Sequence, residues 1–130
     1  MIRRERYFRL IHTDIEQISS TQFYYYCADI LKLLNYKEVK IVDEKEKDII
    51  AFDTDQDIVY IKCSSKIVDK QLIEAFHDTL IKDNITQGIL MTSTTFRADE
   101  LQLAKSYNIS CIDKNDLKML VQPNNIHSFL

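Results

Sequence analysis

Two charged residues stand where a site would form. Asp48 heads the apolar run Asp48-Ile49-Ile50-Ala51-Phe52, and Lys62 lies near the end of the β-branched run Ile58 to Cys63. Such a carboxylate is either a ligand for a hard cation or one more charge in the acidic stretch that also holds Asp43, Glu44 and Glu46. Lys62 is either a charge-balancing cation or an ordinary strand-edge lysine. Strand alternation puts Tyr60, Lys62 and Ser64 on one face, with Val59, Ile61 and Cys63 on the other. An ion pair between Asp48 and Lys62 would neutralise the acid and discourage a metal ion.

Other chemistries find less support. Ser64-Ser65 lacks a histidine nearby in sequence and the strained glycine elbow that a nucleophilic serine uses, so the pair reads as a turn. His12, His77 and His127 are far apart and read as surface or helix-edge residues. Cys27, Cys63 and Cys111 are odd in number, lie in apolar runs and show no zinc spacing, which makes them reduced core residues. Gly88 is the only glycine, which excludes a glycine-rich phosphate loop. Arg3, Arg4, Arg6 and Arg9, interleaved with Tyr7 and Phe8, form one basic-aromatic cluster suited to a phosphate backbone or a base, although a solvated amphipathic helix explains it equally well. In the run Tyr24-Tyr25-Tyr26 at least one ring must face outward, at a binding face or a surface between two copies of the chain.

The elements that position these residues belong to one domain, since 130 residues with 45% hydrophobic content suffice for a single core. A charged fraction of 28% and a net charge of −3 give no bulk attraction to nucleic acid, so DNA binding would need a local patch. Apolar stretches such as Ile58 to Ile61 fall far short of the ~20 residues that span a bilayer. The basic N-terminus is followed by Asp14 and Glu16 instead of an apolar signal core, so a cytoplasmic location is expected, without membrane partners.

A capping box at Ser19-x-x-Gln22 opens a helix whose apolar residues Phe23, Tyr26, Cys27, Ile30, Leu33 and Leu34 share one face. Three strands follow, around Val39–Ile41, Asp48–Phe52 and Ile58–Cys63, with polar turns at Asp43–Lys47 and Asp53–Asp57. Further elements are a helix over Asp69–Ile81, a strand over Gly88–Thr92, a helix over Phe96–Tyr107, a strand over Ile109–Ile112 and a short helix from Asp113 to near Val121. An early antiparallel hairpin with later right-handed parallel crossovers predicts an α/β fold: a mixed five-stranded sheet flanked by helices on both faces. Residues 1–18 form a basic lead-in, 19–121 the domain and 122–130 a polar tail.

This order resembles the catalytic domain of Mrr-like restriction endonucleases, within the PD-(D/E)xK nuclease superfamily, over roughly residues 20 to 121. The similarity is clearest in the run Gly88 to Phe96, then Ala98, Ala104, Ile109-Ser110-Cys111-Ile112-Asp113 and Leu117. It implies the restriction-endonuclease-like three-layer fold. It also implies a site in which carboxylates hold a divalent cation and a lysine stabilises charge on the phosphate.

On that resemblance, Asp48 takes the place of the second-strand aspartate and is the candidate catalytic acid and metal ligand. The third-strand triplet of Glu or Gln, a spacer and Lys falls on Lys62, Cys63 and Ser64, so Lys62 and Ser64 complete the candidate catalytic set. The first-helix glutamate that follows a phenylalanine is replaced by Tyr24 after Phe23. Lys66 is a further cation able to reach in, grouped with Arg3, Arg4, Arg6 and Arg9 as candidate nucleic-acid contacts. Three functions follow: a degenerate nuclease with a DNA-associated or assembly role and no cofactor, an active Mg-dependent endonuclease using Asp48 with Lys62 or Lys66, and an oligomerisation or protein-interaction domain without DNA binding.

Overall fold

A computed structural model describes residues 9–122, and Arg3, Arg4, Arg6, His127 and the tail beyond Gln122 lie outside that range. Helix α1 (Ser20–Leu33) starts at the expected box: Ser19 Oγ accepts the Gln22 N–H at 3.1 Å and Gln22 Oε1 accepts the Ser19 N–H at 2.8 Å. Such a cap contributes about 1 kcal/mol and fixes where the helix begins. Strands β1 (Lys37–Asp43), β2 (Asp48–Phe52) and β3 (Ile58–Ser64) follow. Then come α2 (Lys70–Lys82), β4 (Gln87–Thr92), α3 (Ala98–Ser106), β5 (Ile109–Ile112) and α4 (Lys114–Leu120).

The five strands form one sheet in the order β1-β2-β3-β4-β5. β1 and β2 pair antiparallel, as do β2 and β3, whereas β3–β4 and β4–β5 are parallel. One face buries Ile49, Ala51, Val59, Ile61, Cys63, Ile89 and Met91 beneath α1 and Leu117 of α4. The other buries Tyr60 and Leu90 beneath Ile73, Phe76 and Leu80 of α2 and Ala104 of α3. The α/β fold with a mixed five-stranded sheet between helices is therefore the observed architecture.

Several details depart from the reading of the sequence. β1 is longer than its visible alternation because it is an edge strand whose residues are mostly exposed, so its ends carry no apolar signal. Its pairing with β2 slips between Lys37 and Lys40 and again between Ile41 and Asp43, and Glu38 has φ 50°. Bulges and lysines of this sort protect an open edge from pairing with another strand. Helix α3 is shorter than Phe96–Tyr107 because Arg97 is its extended N-cap residue and Tyr107 its C-cap. Leu10 and Ile15 are buried in the main core, so the described part of the N-terminal segment packs on the domain. Among the described residues no helix is long and apolar enough to cross a membrane.

With one glycine in the chain, helix ends use asparagine. Asn35, Asn84 and Asn108 follow the C-caps of α1, α2 and α3 with φ of 71°, 56° and 59°. Asparagine tolerates this left-handed region better than other residues with a Cβ. The N–H of Tyr36 reaches the Leu31 carbonyl at 3.0 Å and that of Ile85 reaches Leu80 at 2.8 Å, completing the Schellman pattern on α1 and α2. The glycine is reserved for a close approach instead. A Cβ on Gly88 would stand 2.6 Å from Leu80 Cδ1 and 3.1 Å from Phe76 Cε2, so its absence lets α2 lie against β4.

Candidate functional site

The site is built from the turn that precedes β2. Asp43 Oδ1 accepts the N–H groups of Lys45 at 3.0 Å and Glu46 at 3.2 Å, folding residues 44–47 back on the strand end. Lys47 adopts φ 62°, and its carbonyl accepts the Cys63 N–H at 2.9 Å. The chain enters β2 with Asp48 directly opposite Lys62, one pair beyond Ile50 opposite Tyr60 on the same face.

Asp48 is only 8% exposed. The Tyr60 hydroxyl donates to its Oδ2 at 2.6 Å and the Lys62 ammonium donates to its Oδ1 at 2.9 Å. Lys62 Nζ also donates to the Glu46 carbonyl at 3.0 Å, with Glu46 Oε2 at 4.0 Å. Beneath the strand, the buried Tyr24 of α1 donates its hydroxyl to the Asp48 carbonyl and lies 3.3 Å from that of Asp43. Asp48 is thus anchored through its backbone from one layer and through its side chain from the other.

Burial raises the phenols on both sides. The Tyr24 hydroxyl is pushed up to about 12, chiefly by burial. Tyr60 is also raised, first by burial and then by its hydrogen bond to the Asp48 carboxylate. Both therefore remain neutral donors at ordinary pH. A cleft of about 490 Å³ opens beside Asp48, Tyr60 and Lys62, walled by Leu72, Ala75, Phe76 and Thr79.

The structure brings Asp48 and Lys62 together and leaves the other candidates apart. Ser64 Oγ donates to the Lys66 carbonyl at 3.0 Å and accepts the Lys66 N–H at 3.2 Å, a local turn that engages the hydroxyl. Lys66 is exposed. Arg9 lies 3.9 Å from Asp29 of α1, in the layer across the sheet from the Asp48 carboxylate.

The remaining polar candidates have ordinary roles. Cys27 and Cys63 are buried free thiols; burial raises Cys27 well above its usual value and brings Cys111 to about 11, with Asp113 contributing to the latter. Protonated thiols of this kind are poor nucleophiles and poor metal ligands. The His77 ring stacks on Tyr107 at 3.7 Å, on the helix edge where it was expected. Of the three adjacent tyrosines, Tyr24 and Tyr26 are buried and Tyr25 is 46% exposed.

A family model described as restriction endonuclease, of the Mrr catalytic type, matches residues 15–121. The chain belongs to the Mrr-type restriction endonuclease family. No curated protein sequence matches it. Tyr24, which the sequence resemblance set at the place of the first-helix glutamate, donates its hydroxyl to the Asp48 backbone carbonyl.

With the Lys62 ammonium seated on them, the residues present do not fit the divalent cation that a nuclease of this fold implies. Both oxygens of Asp48 already accept from Tyr60 and Lys62, the further acid beside them, Glu46, faces the same Lys62 ammonium, and the Ser64 hydroxyl is engaged in its own turn. Among the described residues no three His, Cys, Asp or Glu side chains gather as a metal-binding group. What sequence reading missed was Tyr60: it was placed on the site face but given no role, and its spacing from Lys62 was the available signal.

Removing one partner of this pair should be costly because it leaves the other buried. Lys62→Met is expected to lose ~2–4 kcal/mol in urea unfolding, whereas Asp48→Asn combined with Lys62→Met recovers most of that loss. Additive losses across the cycle would show that the two side chains do not interact.

The raised Tyr24 phenol has a pH signature. Its folded value of about 12 exceeds the ordinary 10, so its stabilising contribution is full below pH 10 and is lost as pH rises through 12. Urea unfolding of the wild type and Tyr24→Phe between pH 8 and about 12 should give a difference that shrinks across that window. A constant difference would place the hydroxyl outside the contact.

Proposed function

We propose that the chain is a degenerate Mrr-type nuclease domain that keeps the scaffold for a DNA-associated or assembly role without efficient hydrolysis. The observation that carries this reading is the commitment of both Asp48 oxygens to Tyr60 and Lys62. Metal-dependent hydrolysis needs a carboxylate cluster that grips a hard ion beside the scissile phosphate. Tyr24, Lys62 and Ser64 occupy the positions where the family resemblance calls for acid, acid or amide, and lysine. Their own bonds serve the strand ends instead. Asp48 and Lys62 act as a structural pair in this reading, and Lys66 with the N-terminal arginines would supply any contact to a phosphate backbone.

The deciding experiment incubates supercoiled plasmid with the chain and either Mg²⁺ or Mn²⁺, alongside Asp48→Ala. No nicking above background is expected from either protein, and metal-dependent nicking that Asp48→Ala abolishes would overturn the reading. DNA binding measured at two salt concentrations in the same preparation separates the two retained roles. Backbone contact weakens steeply with salt, whereas an assembly role shows no such affinity.

A further inference from the structure

The oxygen donors around Asp48 already hold a cation of the chain's own. The Lys62 ammonium has Asp48 Oδ1 at 2.9 Å, the Glu46 carbonyl at 3.0 Å and Glu46 Oε2 at 4.0 Å. A carboxylate, a peptide carbonyl and a second carboxylate are the hard oxygen donors that divalent ions of the Mg or Mn kind use. We infer that Lys62 is a built-in cation whose ammonium closes a latent divalent-metal site formed by Asp48 and Glu46. The inference rests on the proposed loss of hydrolysis, because it supplies the reason that the wild-type chain takes up no metal there.

Two of the three donors are held by groups other than Lys62, and the third, the Glu46 carboxylate, is exposed beside them. Tyr60 fixes Asp48 through Oδ2, which leaves Oδ1 directed at the ammonium. The Glu46 carbonyl is aimed by the turn that Asp43 caps, and the next residue's carbonyl is fixed by the Cys63 N–H. Removing the lysine side chain therefore frees an Asp48 oxygen and a Glu46 carbonyl that are already placed, with the Glu46 carboxylate within reach of both. The adjoining cleft of about 490 Å³ has room for the waters that would complete a metal's shell. With Lys62 in place, an incoming ion meets a like charge on Oδ1 and must displace two hydrogen bonds.

The test is Mn²⁺ titration of the intact chain, followed by electron paramagnetic resonance of free Mn²⁺ and by melting temperature. Lys62→Ala and Lys62→Ser, each checked for folding by circular dichroism, are expected to take up one Mn²⁺ with Kd on the order of 1 mM. Their melting temperature should rise by about 3–6 °C at tenfold excess over Kd. The wild type and Lys62→Arg, which keep a cation in the site, are expected to show neither effect, and adding Asp48→Asn to Lys62→Ala should abolish uptake. Uptake by the wild type or Lys62→Arg that Asp48→Asn removes, or no uptake by folded Lys62→Ala and Lys62→Ser, would overturn the inference. Wild-type nicking of plasmid would refute the functional reading; folded small-residue variants that ignore Mn²⁺, in a chain that does not nick, refute only the built-in cation.

Discussion

A buried carboxylate must be neutralised or bonded, and Asp48 is both. Its oxygens face one ammonium and one phenol, and its backbone carbonyl takes a second phenol from the opposite layer. An isolated carboxylate at this depth would carry a desolvation cost of several kcal/mol. The arrangement of β2, β3 and α1 around residue 48 meets that demand. The turn at 44–47, the register that sets Asp48 opposite Lys62, and the inward placement of Tyr24 all converge on the same few ångströms.

In the proposed reading, the same convergence separates this chain from a working metal site of its fold. In a nuclease the layers meet at the sheet end to concentrate negative charge, which only a divalent ion makes tolerable. Here the layers meet with donors facing acceptors: Tyr24 from α1, Tyr60 and Lys62 from β3. Negative charge on Asp48 is met by hydrogen atoms of the protein itself. Asp48 is held here by protein donors from both layers.

Much of the architecture could be read from residue order. Apolar spacing in α1 and α2, β-branched runs in β2 and β3, and the capping box at Ser19 are local signals that tertiary packing did not override. The run from Gly88 to Asp113 carried the family resemblance because strand, turn and helix there each keep their own pattern. Edge strand β1 was harder, since exposed residues and two register shifts erase the alternation that marks a strand. The asparagine C-caps were present in the sequence but stand out only once the helix ends are fixed.

The site was legible in part. Alternation placed Tyr60, Lys62 and Ser64 on one face, and the expected contact between Asp48 and Lys62 follows from strand register. The roles of Tyr24 and Tyr60 were hidden, because a tyrosine in an apolar run looks like core until a partner for its hydroxyl is found 12 or more residues away. The most direct test is diffraction at the manganese absorption edge from wild-type crystals soaked in millimolar Mn²⁺. The account predicts no anomalous peak at Asp48 and the Lys62 ammonium seated on Oδ1. A manganese ion bound to that carboxylate, with the lysine swung aside, would contradict it.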